Sequence, residues 1–65
     1  MPIAIIVEFD LHPGAGPEFD RIMRPHAEAT LASEPGCRRF DRLQPLKEDG
    51  TPDENRRMLY EVYEH

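Results

Sequence analysis

A short and almost unbroken apolar run near the amino terminus constrains the fold more than any other feature. Residues Ile3–Phe9 read Ile-Ala-Ile-Ile-Val-Glu-Phe, apolar at five successive positions and rich in β-branched side chains. Strands with one wet face alternate apolar and polar residues, whereas a continuous short run is typical of a strand covered on both faces. A buried helix segment is the alternative, which the shortness of the run and the nearby Pro13-Gly14 pair disfavour. The odd positions are uniformly apolar and are predicted to lie under a helix: Ile3, Ile5, Val7 and Phe9. The other side of the strand, which becomes polar at Glu8, is predicted to be a subunit contact or a partly wet surface.

The length of the chain limits the size of its core. The 65 residues make at most one domain, which is below the roughly 70 to 80 residues at which a single core is comfortably stable alone. With one cysteine, Cys37, no internal disulfide can form, and His12, His26 and His65 lack the spacing of metal ligands. We expect Cys37 to be a small buried hydrophobe rather than a nucleophile. We therefore expect no metal, no cofactor, and stability gained by self-association.

The charge of the chain disfavours nucleic acid and membranes as partners. The formal net charge is −5, and the Arg and Lys residues are scattered, so no basic face for a phosphate backbone is predicted. No positively charged segment precedes the apolar run, which is too short for a signal sequence or a membrane span. We therefore expect a cytoplasmic protein.

One helix is predicted after the turn-forming connection of residues 11–16. Pro17 suits the first helical position, and Glu18 and Asp20 suit the positive end of the helix dipole. Pro25 lies inside the segment and removes a backbone hydrogen bond, so we predict a kink near residues 21–25, with a break into two helices as the alternative. One face has the spacing expected of a helix that covers a sheet, and it comprises Phe19, Ile22, Met23, His26, Ala27, Thr30 and Leu31.

The junction Glu34-Pro35-Gly36 is predicted to end the helix, with Gly36 in the left-handed conformation. From Cys37 to about Leu46 the pattern is that of a weak edge strand, with Phe40 on one face and Asp41 and Leu43 on the other.

Residues 47–55 are polar and carry turn chemistry at Asp49-Gly50 and Pro52-Asp53, which predicts a long hairpin loop. A further strand is predicted from Arg57 to Tyr63. Its two faces are Met58, Tyr60 and Val62 on one side, and Leu59, Glu61 and Tyr63 on the other.

The order strand, helix, strand, strand predicts a right-handed crossover whose first two strands are parallel. If the third strand pairs between them, antiparallel to both, the result is the split βαβ unit of an α+β, ferredoxin-like fold. The first strand then has one neighbour and an open apolar edge, which is an aggregation hazard. A second copy of the chain is therefore expected to cover this strand.

Four segments, taken together in this order and spacing, resemble the antibiotic biosynthesis monooxygenase (ABM) family, and most of all its small quinol monooxygenases. They are the strand that leads to Pro13-Gly14, the segment Pro25–Thr30, the junction Glu34–Cys37 with Phe40-Asp41, and Leu59–Tyr63. The resemblance implies a dimeric α/β barrel, in which two ferredoxin-like subunits pack their sheets together and each keeps a pocket between sheet and helices. Family members continue into a second helix and a fourth strand, so we expect residues 1–65 to be a single domain of this kind without those elements.

The resemblance also implies an oxygenase that uses neither metal nor flavin and acts on a quinol or similar reduced aromatic. Such a pocket needs a base, a group that stabilises an oxyanion, and shielding from water. His26 is the candidate base and Tyr60, expected on the same inner face, the candidate hydrogen-bond donor, while Met23 and Phe40 are candidate walls for a flat substrate. Simple core packing is the alternative for each of the four.

Two carboxylates, Glu61 and Asp41, are expected on the opposite face as interface ion pairs rather than acid–base groups. The competing hypothesis for the whole chain is a dimerising module without catalysis, or a truncated remnant of the family.

Overall fold

The computed structural model describes residues 1–64, in which one helix packs on a three-stranded sheet. The elements in chain order are β1 (Pro2–Asp10), α1 (Gly16–Ser33), β2 (Cys37–Leu43) and β3 (Arg56–Glu64). The sheet order is β1-β3-β2, and β3 is antiparallel to both neighbours. β1 and β2 are therefore parallel to each other, which confirms the predicted topology and fits an α+β, ferredoxin-like fold. His65, one of the three histidines considered above, lies outside the described residues.

The helix α1 is continuous through Pro25, so the alternative of two shorter helices is wrong. Pro17 lies at the start of α1, where its missing N–H has no helical partner in any case. The prediction of a left-handed Gly36 is also wrong, because the described residues with positive φ are Gly14 and Gly50. The helix ends instead at an extended Glu34, whose N–H still bonds to the Thr30 carbonyl at 2.9 Å.

The strand β2 is shorter than predicted, ending at Leu43 rather than near Leu46. Leu46 instead forms an isolated bridge with Pro52, a residue of the predicted hairpin loop. The strand β3 is one residue longer at each end than the predicted Arg57–Tyr63. Phe40 faces away from Asp41 and Leu43, as predicted, because Asp41 pairs with Tyr60 and Phe40 with Glu61.

The core of the chain is small, with buried apolar side chains at Ala27, Cys37, Phe40 and Leu59. A bulge between Cys37 and Arg39 adds a residue to β2. Cys37 and Phe40 are three positions apart and would point to opposite faces of a regular strand, but the bulge lets both point towards α1. The expectation that Cys37 is buried is confirmed.

We call the sheet face that points towards α1 the inner face, and the other the outer face. Val7 and Phe9 on the inner face of β1 pack against the core, as predicted. Ile3 and Ile5 lie on the same face but remain 45% and 43% exposed. The prediction that α1 covers them is therefore wrong for a single chain, because α1 packs mainly over β2.

The apolar face of α1 is also narrower than predicted. Ala27 is buried and Phe19, Met23 and Thr30 are half-buried, whereas His26, Ile22 and Leu31 are exposed. A helix placed over one edge of a sheet, rather than over its middle, buries only a narrow stripe. The inner face of β1 is left open beside α1.

Candidate functional site

His26 lies at the margin of the interface between α1 and the sheet. Its ring meets the ring of Phe40 edge to face, with centroids 5.9 Å apart and an interplanar angle of 83°. The residue is exposed, and within residues 1–64 its imidazole has no hydrogen-bond partner. Its backbone carbonyl accepts a hydrogen bond from the Thr30 hydroxyl at 2.9 Å. The imidazole therefore packs against Phe40 on one side and remains exposed.

Two further predicted site residues lie close to His26 in the fold. Phe40 is only 8% exposed, and Met23, half-buried on α1, packs against the same core cluster. Three of the four candidate residues, His26, Met23 and Phe40, thus meet at one interface. Met23 and Phe40 also perform the packing role that was their alternative.

Tyr60 is not part of this group. It pairs with Ile6 on one side and with Asp41 on the other, and its neighbour Leu59 is in the core. Successive side chains on a strand alternate between faces, so Tyr60 lies on the outer face, and the prediction that it shares a face with His26 is wrong. Both faces of β3 carry apolar and aromatic residues, so the sequence alone offered no reason to choose between them.

Glu61 and Tyr63 form a polar pair on the inner face, which corrects the expectation that Glu61 faces outward with Asp41. The Tyr63 hydroxyl donates a hydrogen bond to Glu61 Oε1 at 2.7 Å. This hydrogen bond, together with partial burial and the carboxylate charge, raises the pKa of Tyr63 well above its usual range. At neutral pH Tyr63 is therefore a neutral donor. The spacing of two residues on a strand indicated a shared face, but not which face.

Ile3 and Ile5 lie directly opposite this polar pair, since Ile3 pairs with Tyr63 and Ile5 with Glu61. The open part of the inner face therefore combines two exposed apolar side chains with a neutral phenol and a carboxylate. A flat, partly polar molecule could lie on such a surface beside α1.

A buried arginine was missed by the sequence analysis. Arg57 is 7% exposed, and its Nε and Nη2 donate to Oδ1 and Oδ2 of Asp20 at 2.9 and 3.2 Å. Its Nη1 donates to the carbonyl oxygens of Arg56 and Glu54 at 2.8 and 3.3 Å. Asp20 raises the pKa of Arg57 above its usual value, so the guanidinium stays charged. The fold tolerates this buried cation because each guanidinium nitrogen donates to an acceptor, which offsets the cost of burying the charge.

A pocket of about 240 Å³ opens beside this ion pair, between the start of α1 and the adjoining ends of β2 and β3. Its lining mixes apolar and charged groups: Phe19, Asp20, Arg42, Leu43, Gln44, Arg57, Met58 and Leu59. None of the four predicted site residues lines it. This pocket is therefore a candidate region distinct from the open inner face.

Neither region has the features of a metal centre. Among residues 1–64, no group of three or more His, Cys, Asp or Glu side chains is placed to hold a metal ion. The same part of the chain has no helix of the length and hydropathy needed to cross a membrane.

Comparison with known proteins identifies the family. The model of the antibiotic biosynthesis monooxygenase family matches residues 2–65. Comparison with curated proteins and with solved structures gave no significant match. A family match over nearly the whole sequence agrees with the order β1, α1, β2, β3 and with the central position of β3. The chain belongs to the antibiotic biosynthesis monooxygenase family.

Proposed function

We propose that this protein is a monooxygenase of the quinol type, which oxidises a hydroquinone or similar reduced aromatic without a cofactor. Membership of the family supports oxygenase chemistry. The observation that carries the proposal is the position of His26, whose ring packs edge to face against Phe40, the cross-strand neighbour of Glu61 on the inner face. Histidine is the side chain that most often serves as a general base in enzymes.

The proposed reaction needs no external reductant. A hydroquinone and O₂ give a hydroxyquinone and water, so one oxygen atom enters the product and the other leaves in water. The aromatic substrate supplies all four electrons. Removal of a phenolic proton by His26 makes the substrate a better electron donor to O₂, which is the step that a base accelerates.

The substrate in this proposal lies on the open inner face, with Met23 and Phe40 as its wall on the α1 side. Tyr60 lies on the outer face, and the single phenolic proton of Tyr63 is already donated to Glu61, so neither tyrosine is assigned as a hydrogen-bond donor to the substrate.

We also propose that the protein is a homodimer whose subunits pack their outer faces together as an α/β barrel. The outer face carries a continuous set of apolar side chains on all three strands, namely Ala4, Ile6, Leu43, Met58, Tyr60 and Val62. Ile6 is 62% exposed and Leu43 is 43% exposed. Sheets that pack face to face interdigitate side chains of this type, and such packing covers β1, the strand most exposed in the single chain.

Oxygen consumption with 1,4-naphthohydroquinone as the probe tests the catalytic proposal. We expect the wild-type protein to accelerate oxygen uptake above the rate of the quinol alone, and His26→Ala to lose at least tenfold of that rate. His12→Ala is the matched control, since His12 is an exposed histidine in the loop before α1. Equal rates for the three proteins, with dimerisation intact, would contradict the role of His26.

A non-catalytic dimerising module is the second candidate function. The exposure of Ile3, Ile5 and Ile6 favours it, because these side chains need a partner whether or not the chain is an enzyme. A stable dimer that does not accelerate oxygen uptake with any quinol tested supports the module. Both proposals take the protein to be cytoplasmic, as expected from the sequence.

A further inference from the structure

We propose that the pocket beside Asp20 and Arg57 binds a small aromatic carboxylate, with Arg42 as the group that pairs with the carboxylate. This inference does not rest on the proposed oxygenase function. The pocket does not include His26, and binding there requires no turnover.

The charges in the pocket favour a single negative charge on the ligand. Two guanidinium groups, those of Arg42 and Arg57, and one carboxylate, that of Asp20, line it. Asp20 accepts two hydrogen bonds from Arg57 and neutralises it. Arg42 has neither an ion-pair nor a hydrogen-bond partner in the part of the chain that the structure describes. Among the residues that line the pocket, Arg42 is therefore the cation without an ion-pair partner, while Asp53 and Glu54 act electrostatically on Arg57 from outside the lining.

Arg42 is placed so that its guanidinium can serve the pocket. It pairs with Leu59 across the β2–β3 ladder and so lies on the inner face, on the same side as Arg57, which is two residues from Leu59 on β3. Arg42 is exposed, whereas Arg57 is buried. The buried Arg57 thus stabilises the fold through its pair with Asp20. The exposed Arg42 has a planar set of donors free to match the two oxygens of a carboxylate.

The remaining walls and the volume indicate a single aromatic ring. Phe19, Leu43, Met58 and Leu59 supply the apolar surface. The Phe19 ring is held by Phe9, whose ring centroid is 4.9 Å away, so it is a fixed surface for stacking. A dry cavity of about 150 Å³ accommodates benzene, and the pocket of about 240 Å³ has room for a ring with a carboxylate attached. A larger fused-ring molecule would project out of it.

Benzoate is the probe for this proposal, followed by two-dimensional NMR of the full chain. We expect saturable shifts that map to the amides around Phe19, Arg42 and Leu59, and a Kd at least tenfold lower than that of benzyl alcohol, which has the same ring without the charge. Arg42→Ala should weaken benzoate binding about tenfold or more. Arg38→Ala is the matched control, because Arg38 is an exposed arginine of the same strand that does not line the pocket, and its Kd should stay within about twofold of wild type.

Three results would overturn the proposal: no saturation by benzoate up to about 10 mM, where the binding free energy would be only a few kcal/mol; shifts that map away from the pocket; or equal losses of affinity in the two arginine variants. None of these depends on oxygenase activity, so the pocket and the quinol proposal can fail separately.

Discussion

Arg57 on β3 and Asp20 on α1 are joined by two hydrogen bonds of 2.9 and 3.2 Å, although 37 residues separate them in the chain. This pair ties the start of the helix to the central strand. The guanidinium is almost fully buried, while the side chain of Asp20 is 46% exposed. The loss of Asp20 would therefore leave a buried cation with a reduced set of acceptors.

Asp20→Asn should accordingly destabilise the fold by about 1–3 kcal/mol, because a hydrogen-bonded buried charge loses its counter-charge. Urea unfolding followed by circular dichroism measures this change. Glu28→Gln is the control, since Glu28 pairs with Arg24 on the exposed side of α1 at 3.4 Å and should cost less than about 0.5 kcal/mol. Equal effects of the two variants would show that the Arg57 pair has no special structural role.

The guanidinium of Arg57 also leaves no space for a side chain at position 16, which is occupied by Gly16. A Cβ added at Gly16 would lie 2.5 Å from Nη2 of Arg57 and 3.2 Å from the Glu54 carbonyl oxygen. Gly16→Ala should therefore destabilise the protein by about 1–3 kcal/mol, even though alanine is a better helix former than glycine. The same substitution in an Arg57→Ala background should cost clearly less, because the nearest clash is gone. An unchanged cost in that background would place the strain elsewhere.

The hydrogen bond between Tyr63 and Glu61 predicts a pH effect at alkaline pH. Since the pKa of Tyr63 is raised in the fold, the protonated phenol is favoured. The stabilisation is complete below the ordinary tyrosine pKa of about 10 and is lost as the pH rises above it. The chain has two tyrosines, so in Tyr60→Phe the ultraviolet titration reports on Tyr63 alone. We expect its midpoint to fall towards about 10 when Glu61→Gln is added; the same midpoint with and without Glu61 would contradict the assignment.

Packing of outer faces in a dimer predicts a strong effect of charge at Ile6. Ile6→Lys should convert the dimer to a monomer at micromolar concentration, as measured by size-exclusion chromatography with light scattering. The substitution should leave the circular dichroism spectrum folded, since the side chain is 62% exposed within one chain. Ile22→Lys on α1, at a site 57% exposed, is the control and should remain dimeric. A wild-type protein that is monomeric throughout would refute the proposed assembly.

The sequence was sufficient to predict the order of the elements, because two apolar strand segments, one weaker edge segment and one helical segment permit few arrangements. The central position of β3 is one of the pairings that this order allows, and the structure confirms it. The faces of individual strands were harder to predict. On β3 both faces carry apolar residues, so Tyr60 was assigned to the side opposite to the one it occupies.

Local irregularities and long-range pairs account for the other differences. The bulge beside Cys37 depends on how β2 pairs with β3, and no residue type within β2 predicts it. An arginine near the start of a strand, such as Arg57, is expected to be exposed to solvent. Its burial depends on Asp20, which is distant in sequence. The pocket lined by Arg42 depends both on how β2 pairs with β3 and on the long-range pair of Arg57 with Asp20. It was therefore not predicted from the sequence. His26, Met23 and Phe40 were found together because helical spacing and strand alternation each gave the correct face.

The most direct test of the proposed oxygenase is to follow the fate of ¹⁸O₂ with 1,4-naphthohydroquinone as the substrate. Uncatalysed oxidation gives the quinone and hydrogen peroxide, with no labelled oxygen in the organic product. The proposal predicts that the wild-type protein yields a hydroxyquinone with one ¹⁸O atom per molecule, and that His26→Ala does not. A product without the label, formed at the rate of the quinol alone, would contradict catalysis by this protein.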